Sequence, residues 1–160
     1  MGPLITQSGL ENVESMVNKA IDEGAKVLTG GQRDAKADGF FFEPTVIGHA
    51  TNKMEIMQKE IFGPVLPIAT FKSLDEALEM ANDSDYGLTS AVFTKDVNVM
   101  MKFINHMDAG EVYVNRESFE AIQGFHAGWK KSGIGGADGK HGLEEFLTTT
   151  VTYIDYDLDI

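Results

Sequence analysis

The sequence predicts an α/β fold with a parallel, Rossmann-like βαβ sheet, and three observations support this prediction. Short apolar or β-branched segments alternate with segments of helical periodicity along the 160 residues. Turns rich in glycine, asparagine and aspartate separate them. The composition, with 42% hydrophobic and 24% charged residues, is that of a folded chain large enough to bury a core. Because strands joined through helices run parallel, functional groups are expected in loops at the carboxyl ends of the strands.

An amphipathic helix is predicted first. Ser8 and Glu11 have the spacing of a capping box, and Gly24 is typical of the position just past a helix end. Six apolar residues recur between them at helical spacing, namely Leu10, Val13, Met16, Val17, Ala20 and Ile21. Residues 26–29 then predict a short strand that ends at two glycines.

Two further strands and a helix are predicted next. Residues 40–47 are strand-like, but Pro44 cannot donate a ladder hydrogen bond and therefore confines this segment to a sheet edge. Residues 65–71 predict a largely apolar strand. Ser73 and Glu76 form a second capping box, which opens a helix ending near residue 82.

The same alternation continues in the second half of the chain. Residues 89–93 predict a strand, residues 96–107 a helix and residues 111–115 another strand. A glycine-dense stretch at 124–142 precedes a short helical segment at 143–146. The β-prone residues 147–154 end the chain before an acidic tail. Such a terminal strand either pairs within its own sheet or extends the sheet of a partner chain, and both alternatives are open.

Charge and hydropathy exclude several classes of function. A formal net charge of −12 opposes binding to nucleic acid and anionic lipid, both of which require clustered Lys and Arg. The longest apolar runs are too short for a membrane span, and no signal-peptide pattern is present. The chain has no cysteine and therefore no disulfide. We expect a cytoplasmic protein that binds neither nucleic acid nor membrane.

The first candidate site is the motif at 60–65. Glu60 can accept two hydrogen bonds from a vicinal diol such as a ribose, and Phe62 offers a flat face to a ring. Gly63 allows the backbone to approach a ligand closely. From the residues alone, an ordinary turn with a solvated glutamate is the favoured explanation of this motif.

The second candidate site is the end of the strand at 111–115. Asn115 and Arg116 lie at this end, and Glu120 and His126 follow closely enough to form a hydrogen-bonding pair for a small polar substrate. The alternative is a solvated loop that carries a histidine with ordinary structural contacts.

Four other kinds of site lack their required pattern. The glycines at 133–139 do not follow a predicted strand in the pattern of a dinucleotide fingerprint, so they predict a tight structural loop. Residues 82–87 resemble the start of a calcium loop, but the position that requires glutamate is Phe93. The four histidines have no metal-binding spacing, and no serine-triad signature is present. We therefore expect no metal site.

Four motifs, in this order and at these separations, resemble the C-terminal third of the aldehyde dehydrogenase superfamily. They are the segments at 60–65, 86–90, 110–115 and 131–135. Two further segments, at 119–129 and 136–142, are similar to those of the lactaldehyde and glycolaldehyde dehydrogenases. The resemblance covers essentially the whole chain. It implies that residues 1–146 are the C-terminal part of a catalytic domain and that residues 147–160 are an oligomerisation strand with an acidic tail.

The resemblance also implies roles for individual residues. Glu60 would hold the hydroxyls of the nicotinamide ribose of NAD, and Phe62 would lie beside the nicotinamide. Glu120 and His126 would contact the hydroxyl-bearing aldehyde. Residues 148–154 would join the sheet of a neighbouring subunit in a homo-oligomer. The resemblance does not settle whether the cofactor is NAD or NADP.

The absence of cysteine then has a mechanistic meaning. In the resembled family a cysteine thiolate adds to the aldehyde, hydride passes to NAD, and a water activated by a glutamate hydrolyses the thioester. Neither that cysteine nor that glutamate, nor the N-terminal cofactor domain, is found in these residues. We therefore expect a C-terminal portion of an NAD-dependent dehydrogenase that is inactive alone. The alternatives are an assembly module and a small-molecule-binding remnant.

Overall fold

The computed structural model describes residues 1–34 and 38–156 in two compact units, Met1–Ser84 and Asp85–Ile160. Each unit is described separately below. The predicted division between residues 146 and 147 stays a prediction.

The first unit begins with helix α1, Gln7–Asp22, whose buried face is the predicted one except that Ile21 is exposed. The helix is confirmed, but the predicted capping box is wrong. Thr6 is the N-cap, and its Oγ1 accepts a hydrogen bond from the amide of Gly9 at 3.1 Å. Ser8 already lies inside the first turn, where its backbone is helical and cannot cap.

Three strands form the sheet of the first unit, in the order β1 (Lys26–Thr29), β2 (Thr45–Gly48) and β3 (Val65–Pro67). Strand β2 pairs with β1 antiparallel and with β3 parallel. The prediction of an edge position for this segment is therefore wrong. Pro44 precedes the first residue of β2, and the ladder begins with the Thr45 amide, which donates to the carbonyl of Pro64 at 2.8 Å.

The core of the first unit lies between α1 and this sheet. Its largest fully buried side chains are Val13, Val17 and Ile47. Strand β3 is shorter than predicted and ends at Pro67, although the amide of Ile68 still donates to the carbonyl of Ile47 in β2 at 2.7 Å. The short helix α2, Glu55–Gln58, connects β2 to β3.

Helix α3, Leu74–Asn82, closes the first unit and begins where the sequence predicts. Ser73 Oγ accepts from the Glu76 amide at 3.2 Å. The carboxylate of Glu76 reaches back to the amide of Lys72 at 2.6 Å, one residue before the N-cap. Both residues of the predicted capping box therefore cap the helix, but Glu76 bonds the amide before the N-cap rather than the amide of the N-cap itself.

The second unit contains a βαβ element built from β5 (Thr89–Val92), α4 (Val97–His106) and β6 (Glu111–Val114), after the two-residue strand β4 (Tyr86–Gly87). Strands β5 and β6 pair parallel with Thr89 opposite Glu111, which confirms the predicted crossover. Asp96 caps α4 and accepts from the amides of Asn98 and Val99. The expected parallel arrangement is therefore present in the pairs β2/β3 and β5/β6.

The glycine-dense stretch folds into short antiparallel pairs and a helix. Strand β7 (His126–Ala127) pairs with β9 (Gly136–Ala137), and β8 (Trp129–Lys130) pairs with β4. Helix α5, Gly139–Glu144, follows. It begins four residues before the predicted helical segment.

The C-terminal tail is exposed from residue 147 to residue 156. This described part of the tail forms no strand pair within the chain, so the predicted pairing inside its own sheet is not observed. Tyr153 is 92% exposed, although tyrosine is an aromatic residue that proteins usually cover in part. Among the described residues, no helix has the length and apolar character needed to span a membrane.

Candidate active site

A polar cluster lies over the face of strand β6 in the second unit. The Nδ1 atom of His126 lies 2.8 Å from Oε2 of Glu111. The hydroxyl of Tyr113 donates to the same Oε2 at 3.1 Å. Because side chains two apart on a strand point to the same face, Glu111 and Tyr113 form one surface against which the histidine ring rests.

Close backbone packing brings His126 to this surface. A Cβ atom built on Gly110 would lie 1.6 Å from the carbonyl oxygen of Ala127, so only glycine permits β7 to cross the chain this near to β6. Pairing of β7 with β9 holds the other side of the His126 backbone. The glycines in this part of the chain therefore serve to place a side chain.

The surroundings of this cluster shift the pKa values of two of its side chains, His126 and Tyr113. The hydrogen bond to Glu111 raises the pKa of His126 above its ordinary 6.5, and nearby Glu120 and Asp138 act in the same direction against the effect of burial. Burial raises the pKa of Tyr113, and the bond to Glu111 adds to this effect. These shifts in pKa stabilise the imidazolium form of His126 and the neutral phenol of Tyr113 relative to the free side chains.

Glu120 and His126, which the sequence places together for a substrate, make no direct hydrogen bond to each other. Glu120 is exposed and makes no hydrogen bond or ion pair with any described residue, although it is close enough to influence His126 electrostatically. The direct partner of His126 is Glu111, at the beginning of β6 rather than at its carboxyl end. Sequence analysis missed Glu111 and Tyr113 as site residues, although the alternation of β6 already places both on one face.

Asn115, at the carboxyl end of β6, has a structural role. Asn115 has a left-handed backbone, with φ of 54°. Its side chain accepts from the amide of Thr94 and donates to the carbonyl of Thr94, both at 2.8 Å. These bonds join the ends of β5 and β6, which explains the amide that the sequence places there.

The motif around Glu60 forms an exposed turn in the first unit. Phe62 is 79% exposed and has φ of 50°, an unusual backbone conformation for a bulky residue. A Cβ atom on Gly63 would lie 2.5 Å from Cγ2 of the fully buried Val13, so this glycine anchors the turn on the core. Glu60 is exposed and has no hydrogen bond or ion pair within the part of the chain that the structure describes. The turn therefore exposes a carboxylate and, two residues further on, an aromatic face.

Comparison with known proteins identifies the family of this chain. Residues 1–152 match the aldehyde dehydrogenase family. The chain belongs to the aldehyde dehydrogenase family. Its members are oxidoreductases, and the α/β fold predicted from the sequence is confirmed by structures of this family.

Individual aldehyde dehydrogenases are similar over almost the whole chain. The lactaldehyde dehydrogenase of Escherichia coli (strain K12) is 54% identical over 154 residues, a match that covers 96% of this chain and 32% of that protein. A crystal structure of lactaldehyde dehydrogenase from Escherichia coli superimposes with a TM-score of 0.92 at 55% identity, covering 96% of this chain and 32% of the other.

A more distant aldehyde dehydrogenase structure contains a cofactor. It is betaine aldehyde dehydrogenase from Staphylococcus aureus in complex with NAD+, with a TM-score of 0.85 and 41% identity over 92% of this chain and 30% of the other. This chain therefore spans about a third of the length of the aldehyde dehydrogenases that it matches.

Proposed function

We propose that this chain is the C-terminal third of an NAD-dependent aldehyde dehydrogenase that oxidises a small hydroxyaldehyde, lactaldehyde or glycolaldehyde, to the corresponding acid. The observation that carries the proposal is the 54% identity to lactaldehyde dehydrogenase over nearly the whole chain. The polar cluster on β6 supports it because a hydroxyl-bearing substrate needs both a hydrogen-bond donor and an acceptor.

At the substrate end, Glu120 and His126 are the proposed contacts. The exposed carboxylate of Glu120 accepts a hydrogen bond from the substrate hydroxyl, and the His126 ring donates one to the hydroxyl oxygen. Such a pair of polar groups discriminates against an analogue without the hydroxyl, since their hydrogen bonds to the substrate would then be lost.

At the cofactor end, Glu60 is proposed to hold the ribose hydroxyls and Phe62 to lie against the nicotinamide ring. The unpaired carboxylate and the exposed aromatic face support these roles. When bound, NAD accepts hydride from the substrate carbon. Both NAD+ and NADP(+) occur in the names of similar proteins and structures.

The nucleophile is proposed to lie outside these 160 residues, because the chain contains no cysteine. We infer that its own side chains bind and orient the substrate and the nicotinamide half of the cofactor, and that the isolated chain does not turn over.

A second candidate function is assembly, which the C-terminal tail favours. Residues 147–156 are exposed and form no strand pair with any described residue, and they are rich in β-branched and aromatic residues. We propose that residues 147–160 form an arm, of which 148–154 add as a strand to a neighbouring subunit of a homo-oligomer. Analytical ultracentrifugation of the chain with and without residues 147–160 tests this, and a monomer in both cases contradicts it.

The proposed activity is tested by exchange of the matched segment. A chimera in which this chain replaces the corresponding third of the Escherichia coli lactaldehyde dehydrogenase is expected to form NADH from NAD and lactaldehyde. The isolated chain under the same conditions is expected to form none. A folded chimera without activity on lactaldehyde or glycolaldehyde contradicts the proposal, and NADH formation by the isolated chain contradicts its inactivity.

The cofactor contact gives a second prediction. In the chimera, Glu60→Gln is expected to raise the KM for NAD about tenfold, because hydrogen bonds to a charged group contribute about 1.5–3 kcal/mol and the amide can accept at only one atom. Steady-state kinetics at varied NAD measure this change. Glu79→Gln, an exposed carboxylate on α3, is the matched control and should leave the KM unchanged. Equal effects of both changes would remove the role of Glu60.

A further inference from the structure

The hydrogen bond between His126 and Glu111 determines which ring nitrogen carries the proton. A carboxylate can only accept hydrogen bonds, so the contact of 2.8 Å requires a proton on Nδ1. The second nitrogen, Nε2, is then the atom left for other partners. It accepts when the ring is neutral and donates when the ring is charged.

Glu111 is itself held in place. Its side chain is only 12% exposed, compared with 31% for that of His126. The hydroxyl of Tyr113 binds the same carboxylate oxygen at 3.1 Å, and the guanidinium of Arg116 lies 5.6 Å from the centroid of the Tyr113 ring. A partly buried carboxylate with two hydrogen-bonded partners has little freedom to turn away from the histidine.

We propose that Glu111 is a positioning residue that fixes the ring of His126 with Nδ1 as a donor, and so presents Nε2 to the hydroxyl group of the substrate. Tyr113 contributes to this positioning, because its hydrogen bond orients the Glu111 carboxylate. This inference rests on the proposed function, because it assigns the geometry that makes His126 selective for a hydroxyaldehyde. It follows the general pattern in which a second carboxylate sets the tautomer of a working histidine.

The acidic groups around His126 favour the protonated ring, in which Nε2 donates a hydrogen bond. The groups that face His126 are Glu111 on β6, Glu120 in the following loop and Asp138 before α5, and all three are acidic. They raise the pKa of the ring, so the imidazolium form persists to higher pH than in a free histidine. An Nε2–H donor together with the Glu120 carboxylate would satisfy both hydrogen-bonding capacities of one hydroxyl group.

The proposal is tested in the 160-residue chain by ¹⁵N-imidazole NMR. The neutral ring of His126 is expected to carry its proton on Nδ1 in the unsubstituted chain, and this measurement requires no variant. Glu111→Leu, which keeps the bulk and removes the acceptor, is expected to abolish that preference and lower the pKa of His126. Glu120→Gln is the matched control and should retain the Nδ1 proton. A neutral ring protonated on Nε2 in the unsubstituted chain overturns the proposal.

The functional consequence is tested in the chimera with two aldehydes. Glu111→Leu is expected to raise the KM for glycolaldehyde about tenfold, the loss of one charge-assisted hydrogen bond, and to leave the KM for acetaldehyde unchanged. Glu111→Asp should restore part of the selectivity. Equal increases for both aldehydes would show a purely structural effect and overturn the proposal. If the chimera oxidises neither aldehyde, the proposed function fails, while the NMR result still decides the role of Glu111.

Discussion

Ile47→Ala is expected to lower the free energy of unfolding of the first unit by about 2–5 kcal/mol, the usual cost of truncating a buried isoleucine. Ile47 is fully buried and lies in β2, the middle strand of the sheet. It packs in the same core as Val13 and Val17 of α1. Truncation therefore leaves a cavity between the helix and the sheet that neighbouring side chains fill only in part.

Urea unfolding followed by the amide NMR signals of Val13 and Val17 measures this effect within the first unit. Leu28→Ala is the matched control, because Leu28 lies on the adjacent strand β1 but is 62% exposed. It is expected to change stability far less. Equal destabilisation by the two substitutions would show that the core does not lie between α1 and the sheet.

Gly110→Ala is expected to destabilise the second unit by at least about 1–3 kcal/mol, the range for overpacking. The added Cβ would lie 1.6 Å from the carbonyl oxygen of Ala127, and a backbone atom cannot turn aside as a flexible side chain can. Strand β7 must therefore shift away from β6. Because His126 belongs to β7, its hydrogen bond to Glu111 should be lost together with stability.

Trp129, the single tryptophan, lies in the second unit two residues beyond Ala127 and reports its unfolding by fluorescence. Gly133→Ala is the control, since its Cβ would have no neighbour closer than 3.7 Å. It should unfold at nearly the urea concentration of the unsubstituted chain. If Gly110→Ala unfolds at that concentration too and retains the Nδ1 proton on His126, the close crossing does not position the histidine.

Several elements could be predicted because their signals are local. The helical spacing from Leu10 to Ala20 predicts α1, and the strand at 26–29 has the predicted bounds. Asp96 begins α4 because its carboxylate satisfies amides two and three residues ahead. Family motifs likewise identify the aldehyde dehydrogenase family, which the comparisons confirm.

The errors occur where a local signal allows two arrangements. Thr6 and Ser8 can both cap a helix, and the backbone conformation of the first turn selects Thr6. Pro44 is compatible with an edge strand, but it is equally compatible with the residue before a central strand, which is where it lies. The roles of Glu60, Phe62, Glu120 and His126 stay predictions that rest on the resemblance and on the chemistry of the exposed groups.

The sequence alone predicted most helices and strands, because periodicity and capping depend on residues close together in the chain. It also predicted the fold class from the order of these elements and the family from the spacing of its motifs. The partner of His126 depended on the tertiary structure. Fifteen positions separate it from Glu111, and Glu120 is nearer in sequence. Only the close crossing at Gly110, the pairing of β7 with β9 and the alternation of β6 bring the imidazole to the Glu111 carboxylate, since hydrogen bonds require proximity in space.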